Sequence, residues 1–450
     1  PTRGVLAALA IFAAFLWGFA SSQLSLPPSG AARAVYERLQ QVRRAAGGAP
    51  GGNEAKPGGR WRRAGGGAGE GDGALTGEQA EAVEQLASLG YASGTQAAGA
   101  DAGGVVVHDE ARAFAGANLV VSGHAPGAVL LDMQGRELWR WSMDFWTAFP
   151  ETDVPRNREA ASFWRRARLL DGGAVLAIFE GHGLVKLDAA SNLVWAYPGR
   201  AHHALDLDAD GNIWVLTRDI RFLERIHPEK PVLEDFVAVL ASDGREVRRI
   251  SVLEAFERSV YASFLDGRPE AGDIFHTNAL TILDGTQSAR VPAFRRGNLL
   301  ISIHTLNVVA VLDPETETIV WALSGLWRRQ HEPRLLANGE LLVFDNQGYR
   351  GKSQVIELDP TTQRVAWTYR GEPPAAFYTE LCGASERLPN GNTLITESER
   401  GRAFEAAPDG AIVWEYRSPH RAGAKGDLVA TLLEVVRIHP DTPLDWTRGG

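Results

Sequence analysis

Three histidines stand at matching places in three separate stretches of this chain. His202 opens "HHALDLDADG", His276 opens "HTNALTILDG" and His331 opens "HEPRLLANG". The first two precede a turn glycine by nine residues and His331 precedes its own by eight, so all three hold nearly one position at the head of a strand. With an unperturbed pKa of about 6.5, an imidazole can act near neutral pH as nucleophile, general acid–base or metal ligand. One histidine at a strand end is usually a solvated or hydrogen-bonded structural residue, but the coincidence of three points to a constellation. His203, next to His202, belongs to the same head. Asn278 lies two residues past His276, on the same side of its strand, and His304 in "SIHTLN" falls on the following strand within reach of the same place. A metal site remains a second reading of these imidazoles, although no HExxH spacing accompanies them. "DLDADGN" begins like a calcium loop, but its twelfth position is Thr217 where a bidentate Glu is required, so it reads as a hairpin turn. No GxSxG elbow and no phosphate-binding glycine loop is present.

The elements that carry these residues repeat. "GGAVLAIFEGHGLVKLDAASNLVWAY", "RGNLLISIHTLNVVAVLDPETETIVWAL", "NGELLVFDNQGYRGKSQVIELDPTTQRVAWTY" and "NGNTLITESERGRAFEAAPDGAIVWEY" share one plan. Each has a glycine turn, a strand, a polar turn, a second strand, a short turn, and a third strand closing on Trp. Trp321, Trp367 and Trp414 are 46 and 47 residues apart, the period of a propeller blade. A further unit ends at Trp141, and another replaces its tryptophan near Val247. Six units begin near residues 116, 168, 202, 276, 331 and 383. The expectation is an all-β, six-bladed β-propeller over residues 105–435, with the tryptophans filling blade interfaces. Its innermost strands line a central funnel, where the histidines form a ring. The tail, residues 436–450, follows; "LLEVVRIHPDTPLDW", which spans the boundary, is apolar enough to supply a closing strand.

Ahead of the propeller, residues 1–22 hold an uncharged apolar run from Gly4 to Ala20, close to the minimum for a transmembrane helix. No clean small-x-small cleavage site follows, which favours a retained N-terminal membrane anchor over a signal peptide. Arginines flank it on both sides, so the positive-inside rule gives no orientation. Residues 23–104 read as a helix, a flexible Gly-rich linker over 45–75 and a short helix in "TGEQAEAVEQLASLGYASG".

Composition narrows the rest. Of 450 residues, 44% are hydrophobic and 22% charged, and 49 glycines and 13 tryptophans suit many turns and recurring aromatic positions. A net charge of −9 leaves no basic footprint for nucleic acid. Cys382 is the sole cysteine, so neither an intramolecular disulfide nor a cysteine-based zinc cluster can form.

The stretches "HHALDLDADGNIWVL", "GDIFHTNAL", "GNLLISIHTLNVVAVLD", "RRQHEPRLLANGELLVFDNQG" and "RLPNGNTLITESERGRAFE" resemble the bacterial aryl-sulfate sulfotransferase family, whose members are six-bladed propellers with histidines in the funnel. The resemblance covers most of residues 105–420. It implies transfer of a sulfuryl group from a phenolic sulfate ester to a phenol, with no metal and no nucleotide sulfate donor, through a sulfo-histidine. His331 then matches the nucleophile. His276 and Asn278 match a His-x-Asn pair that donates to sulfuryl oxygens. One of His202 and His203 matches the histidine that assists at the phenolic oxygen. His304 falls where the family usually has an arginine, and a shorter, partly charged imidazole should bind an anion less well. Family members with a disulfide differ from this chain in that respect.

The resemblance also places the propeller on the periplasmic or outer side of the cell membrane, and the apolar run from Gly4 to Ala20 supplies the expected single-pass tether. A second class of function stays open: a catalytically degenerate, membrane-anchored propeller serving as a binding or scaffold subunit of a membrane complex, since a fold does not by itself confer activity.

Overall fold

A computed structural model describes residues 77–87, 95–97, 103–422 and 428–448. The expected membrane anchor, the first helix and the Gly-rich linker lie outside these residues. Among the described residues no helix is long and apolar enough to cross a membrane. The short helix before the propeller is present as Gly77–Ala87. It docks on the third blade's rim, where Gln79 Nε2 donates to the Glu229 carbonyl at 3.2 Å.

Six sheets form the propeller, antiparallel but for the short strand Gly272–Asp273, which pairs in parallel with Val232–Leu240. Their innermost strands are Leu432–Ile438, Arg166–Leu169, Ala201–Leu207, Thr277–Ile282, His331–Leu335 and Ala384–Arg387, for blades 1 to 6. Blade 1 joins the two ends of the ring: the tail strand Leu432–Ile438 pairs with Ala117–Ser122. Blade 6 gains a fifth, outer strand, Gly104–His108, which pairs with Ile412–Arg417. The ring is therefore closed twice, once by each end of the propeller sequence.

Burial follows position within a blade. The middle strands Val232–Leu240 and Val308–Asp313 are buried at every residue because blades cover both faces. The outer strand Val365–Arg370 is exposed or half-buried throughout. Apolar side chains gather in six separate clusters, one at each blade interface, and no common core fills the axis. Buried polar and charged groups gather at the heads of the innermost strands instead.

Tryptophans tie neighbouring blades through their indole N–H groups as well as their bulk. Trp139, Trp195, Trp367 and Trp414 donate to the carbonyls of Ala189, Ser242, Pro408 and Met133 at 2.8, 3.1, 3.1 and 3.0 Å, each in the outer turn of the next blade. In blade 1 this bridge falls to Trp139, while Trp141 donates to Gly173 O at 2.9 Å. Blade 3 has no tryptophan there, and Arg248 instead reaches the Pro314 carbonyl and, at 2.9 Å, Glu317. Trp414 is fully buried. Trp414→Ala is expected to cost about 3–5 kcal/mol, through the cavity and the orphaned Met133 carbonyl. Urea unfolding measures it, and a loss below about 1 kcal/mol would contradict the bridge.

The "DLDADGN" stretch is a hairpin turn, as its spacing suggested. Asp208 Oδ1 accepts from the backbone of Asp210 and Asn212, Oδ2 accepts from Trp214 Nε1, and Gly211 takes the left-handed conformation at φ 80°.

Candidate active site: an imidazole chamber at one mouth of the channel

Four of the six innermost strands carry a register shift near their heads, in blades 1, 3, 4 and 5. Three of these heads also hold a non-glycine residue in the left-handed region: His203 at φ 48°, His276 at 52° and Glu332 at 44°. Cys382, just ahead of blade 6, is a fourth at 60°. Such backbone costs about 1–3 kcal/mol per residue and gathers where side chains must be aimed. Here the bulges turn imidazoles inward. In blade 3 the bulge brings the rings of the neighbours His202 and His203 together, Nδ1 to Nδ1 at 3.0 Å, where a regular strand would send them to opposite faces.

The result is a string of five rings. Centroid separations are 5.3 Å for His202–His203, 5.0 Å for His203–His276, 4.6 Å for His276–His304 and 5.3 Å for His304–His331. All the histidines singled out by spacing therefore lie together. Asn278 is fully buried beside them, and its Nδ2 donates to Gln330 O at 2.9 Å, holding the residue that precedes His331. Gln330 in turn donates to Ser302 Oγ and to the carbonyls of Ile303 and Val308 at 3.0, 3.2 and 3.0 Å, tying blade 5 to blade 4.

Four of the five rings have a polar neighbour of their own. His331 Nδ1 lies 2.8 Å from Asn346 Oδ1 and 3.2 Å from Arg329 O. Asn346 Nδ2 is directed to the carbonyls of Thr379 and Cys382, which fixes its oxygen toward His331. Both groups facing Nδ1 are acceptors, so Nδ1 carries the hydrogen and Nε2 keeps its lone pair. His276 Nδ1 is 3.1 Å from Asp273 Oδ2. His203 Nδ1 is 3.5 Å from Glu180 Oε1, and His202 Nε2 is 3.7 Å from Asp235 Oδ1. His304 Nε2 is buried with no hydrogen-bond partner.

Exposure is uneven. His276 and Asp273 have side chains 14% and 17% exposed, whereas His202, His203, His304 and His331 show 3% or less, so the way in passes His276. Spacing alone did not reveal Glu180, Arg165, Arg218, Asp235, Asp273 or Asn346. Arg165 had a signal: it stands at the head of the second unit, where blades 3 to 5 have histidine. Asn346 lies fifteen residues after His331, in the "FDNQ" that follows it.

Burial pushes His331 down to about 3 and holds His202, His203 and His304 well below an ordinary imidazole. These rings stay neutral in the folded chain where the unfolded chain binds protons, below about pH 6.5. Their contribution to stability is thus lost as pH falls from about 6.5 toward 3. Asp235 acts the other way: burial and then Asp273 push it up to about 7, so the folded state gains from its protonation as pH drops below that. Glu180, which burial also pushes up, acts with it, and within the chamber the four neutral imidazoles outnumber the two carboxyls. Calorimetry is expected to show a Tm that is level from pH 7 to 9 and falls from 6.5 to 4, with a limit of about 1.4 kcal/mol per pH unit for each imidazole. A Tm unchanged down to pH 4.5 would refute a neutral cluster.

Metal-ligand side chains do meet here: ligand atoms of Glu180, His202 and His203 lie within 4.8 Å of one another. The fit is poor, because Arg165 Nε sits 3.4 Å from Glu180 Oε2 and its charge opposes a cation.

The opposite mouth of the channel is a separate cavity of about 920 Å³, collared by Leu169, Leu205, Leu280, Leu335, Leu388 and Val436, one from each blade. Between it and the imidazoles lies a belt of charge. Arg166 bonds Glu332 and lies 3.4 Å from Glu434, and Arg334 is 3.2 Å from Glu332.

Residues 166–419 match the sequence model of the arylsulfotransferase (ASST) family. No curated protein matches the chain. Among solved structures it is similar to a protein of unknown function from Bacteroides caccae, at 11% identity over 72% of this chain and 99% of that one, with a TM-score of 0.47. It is also similar to a streptogramin B lyase, at 14% identity over 77% and 94% with a TM-score of 0.42. The WD40 propeller domain of Doa1 is another, at 12% identity over 77% and 96% with a TM-score of 0.41.

Proposed function

Because the chain belongs to the arylsulfotransferase family, we propose that its propeller moves a sulfuryl group from a phenolic sulfate ester to a phenol, with His331 as the carrier. The observation that carries the reading is the fixed tautomer of His331: Asn346 Oδ1 and Arg329 O hold the Nδ1 hydrogen, leaving Nε2 as a neutral nucleophile among four other imidazoles.

In the first half-reaction Nε2 attacks sulfur, the N–S bond forms, and the bond from sulfur to the phenolic oxygen breaks. Positive charge develops on the ring, and the hydrogen bonds from Nδ1 to the two oxygens strengthen as it does. The departing phenolate takes a proton from an acid beside it, which is left as its conjugate base. In the second half, the acceptor phenol gives a proton to the same group, its oxygen attacks sulfur, and the N–S bond breaks to return neutral His331. His276, paired with Asp273 and nearest to solvent, is better placed for this proton transfer than the fully buried His202 and His203. Asn278 acts mainly by holding Gln330, and hence His331, in place.

Tethering by the apolar N-terminal run, outside the cytoplasm, is part of the same proposal and draws on residues 4–20. The scaffold reading draws on one feature, the near-complete burial of the imidazoles. Incubation with p-nitrophenyl sulfate and a phenol, followed by mass spectrometry of the peptide carrying His331, tests both. Phenolate release with an added sulfuryl group on that peptide is expected. Absence of both would discard the enzyme and leave the scaffold.

A further inference from the structure

We propose that Arg165 holds the anionic group of the substrate inside the imidazole chamber. The inference rests on the sulfuryl-transfer reading for the identity of the anion, but the site itself rests on geometry.

Arg165 immediately precedes the innermost strand of blade 2, and its backbone N–H donates to Ile178 O at 2.8 Å. This is the strand-head position that blades 3, 4 and 5 fill with histidine. The residues that follow fix how the two heads face each other. Arg166 bonds Glu332 across the channel, and the charge of Arg165, one residue earlier, bears on His331, the residue before Glu332.

The guanidinium is 3% exposed and poorly satisfied. Nη1 reaches Leu433 O only at 3.5 Å, and Nε lies 3.4 Å from Glu180 Oε2 without making a hydrogen bond. A buried cation with most of its five donors unspent is costly, and the cost is offset when a tetrahedral oxyanion accepts from the planar fork.

The other candidates for this role fall short. His304 is kept neutral by burial and then by the neighbouring His276 and His331, so it brings no charge at neutral pH. Arg218 is packed under the Gly181 turn, where a Cβ on Gly181 would lie 2.0 Å from its Nη2. Glu180 does not cancel Arg165 fully, because burial pushes that carboxyl upward and toward its neutral form. The charge of Arg165 also bears on His203 and His331, which helps keep both unprotonated.

Titration calorimetry of the full chain with inorganic sulfate, at constant ionic strength with chloride as the reference, is the direct test. The unmodified protein is expected to bind sulfate. The double variant R165Q/E180Q removes both members of the pair, so no carboxylate is stranded, and its affinity should fall at least tenfold. R165K keeps the charge but loses the fork and should fall several-fold, which serves if the double variant does not fold. In turnover, R165K should raise KM for p-nitrophenyl sulfate more than it lowers kcat, and adding H304R to R165Q/E180Q should restore part of the binding. No sulfate binding by the unmodified protein, or unchanged binding by folded R165Q/E180Q or R165K, overturns the proposal. Sulfate binding that depends on Arg165 in a protein that never sulfates His331 would leave this anion site standing and discard sulfuryl transfer.

Discussion

His331→Gln is expected to lower sulfuryl transfer by about ten-thousand-fold or more, because it removes the atom that forms the covalent bond while leaving the rest of the chamber in place. Glutamine fits the space and can still donate an amide hydrogen to Asn346, so the fold should be kept. No other ring can take over readily. His304 is 5.3 Å from His331 by centroids but has no partner to fix its tautomer, and His276 is turned toward Asp273. Two readouts are needed together: the initial burst of p-nitrophenolate and the mass of the peptide carrying residue 331. Both should vanish in H331Q at an unchanged Tm. Turnover near that of the unmodified protein, with sulfuryl mass on a different peptide, would move the carrier role to that peptide's histidine.

The second large effect concerns closure of the ring. A chain ending at Thr431 lacks the innermost strand of blade 1 and is expected to show no cooperative thermal transition. The loss is larger than one buried strand suggests. Leu432 and Leu433 are 0% and 2% exposed, and each large-to-small change at such positions costs about 2–5 kcal/mol, against a typical total stability of about 5–15 kcal/mol. Truncation also removes Glu434 from the charged belt and the Leu433 carbonyl that faces Arg165. Circular dichroism on heating gives the answer, and addition of a peptide spanning residues 430–450 should restore a transition. A truncated chain that melts sharply on its own would show that the outer strand Gly104–His108 is sufficient closure.

Much of this was legible in the sequence because the repeat unit is also the folding unit. The six expected starting points fall on or within two residues of the first strand that the main propeller sequence gives each blade. The aligned spacing of His202, His276 and His331 survives in space as one string of rings. What the spacing did not contain is instructive. It left His202 and His203 as alternatives, since a regular strand points only one of two neighbours inward; the bulge brings the two rings together. It missed Arg165 because the second unit opens with "RRARLLDGG", an arginine and a shorter run to glycine. It missed Glu180 and Asp235 because each meets its histidine only in the folded chain, from the neighbouring blade or from another strand of the same blade; Asp273 stands three residues before His276, and the turn of the chain there decides that the two meet. The choice of Trp139 over Trp141 for the blade 1 bridge likewise depends on where the neighbouring turn arrives.

The left-handed strand heads also give a way to read natural variation. His203, His276 and Glu332 each hold a conformation that glycine adopts without penalty and other residues adopt at a cost of about 1–2 kcal/mol. In a lineage that had abandoned the chamber's chemistry, drift toward glycine at His203 and His276 would relieve this strain, whereas at Glu332 it would strand the buried Arg166. Persistence of the imidazoles at 203 and 276, among descendants of this propeller, is therefore a signature of continuing selection that can be scored without any assay.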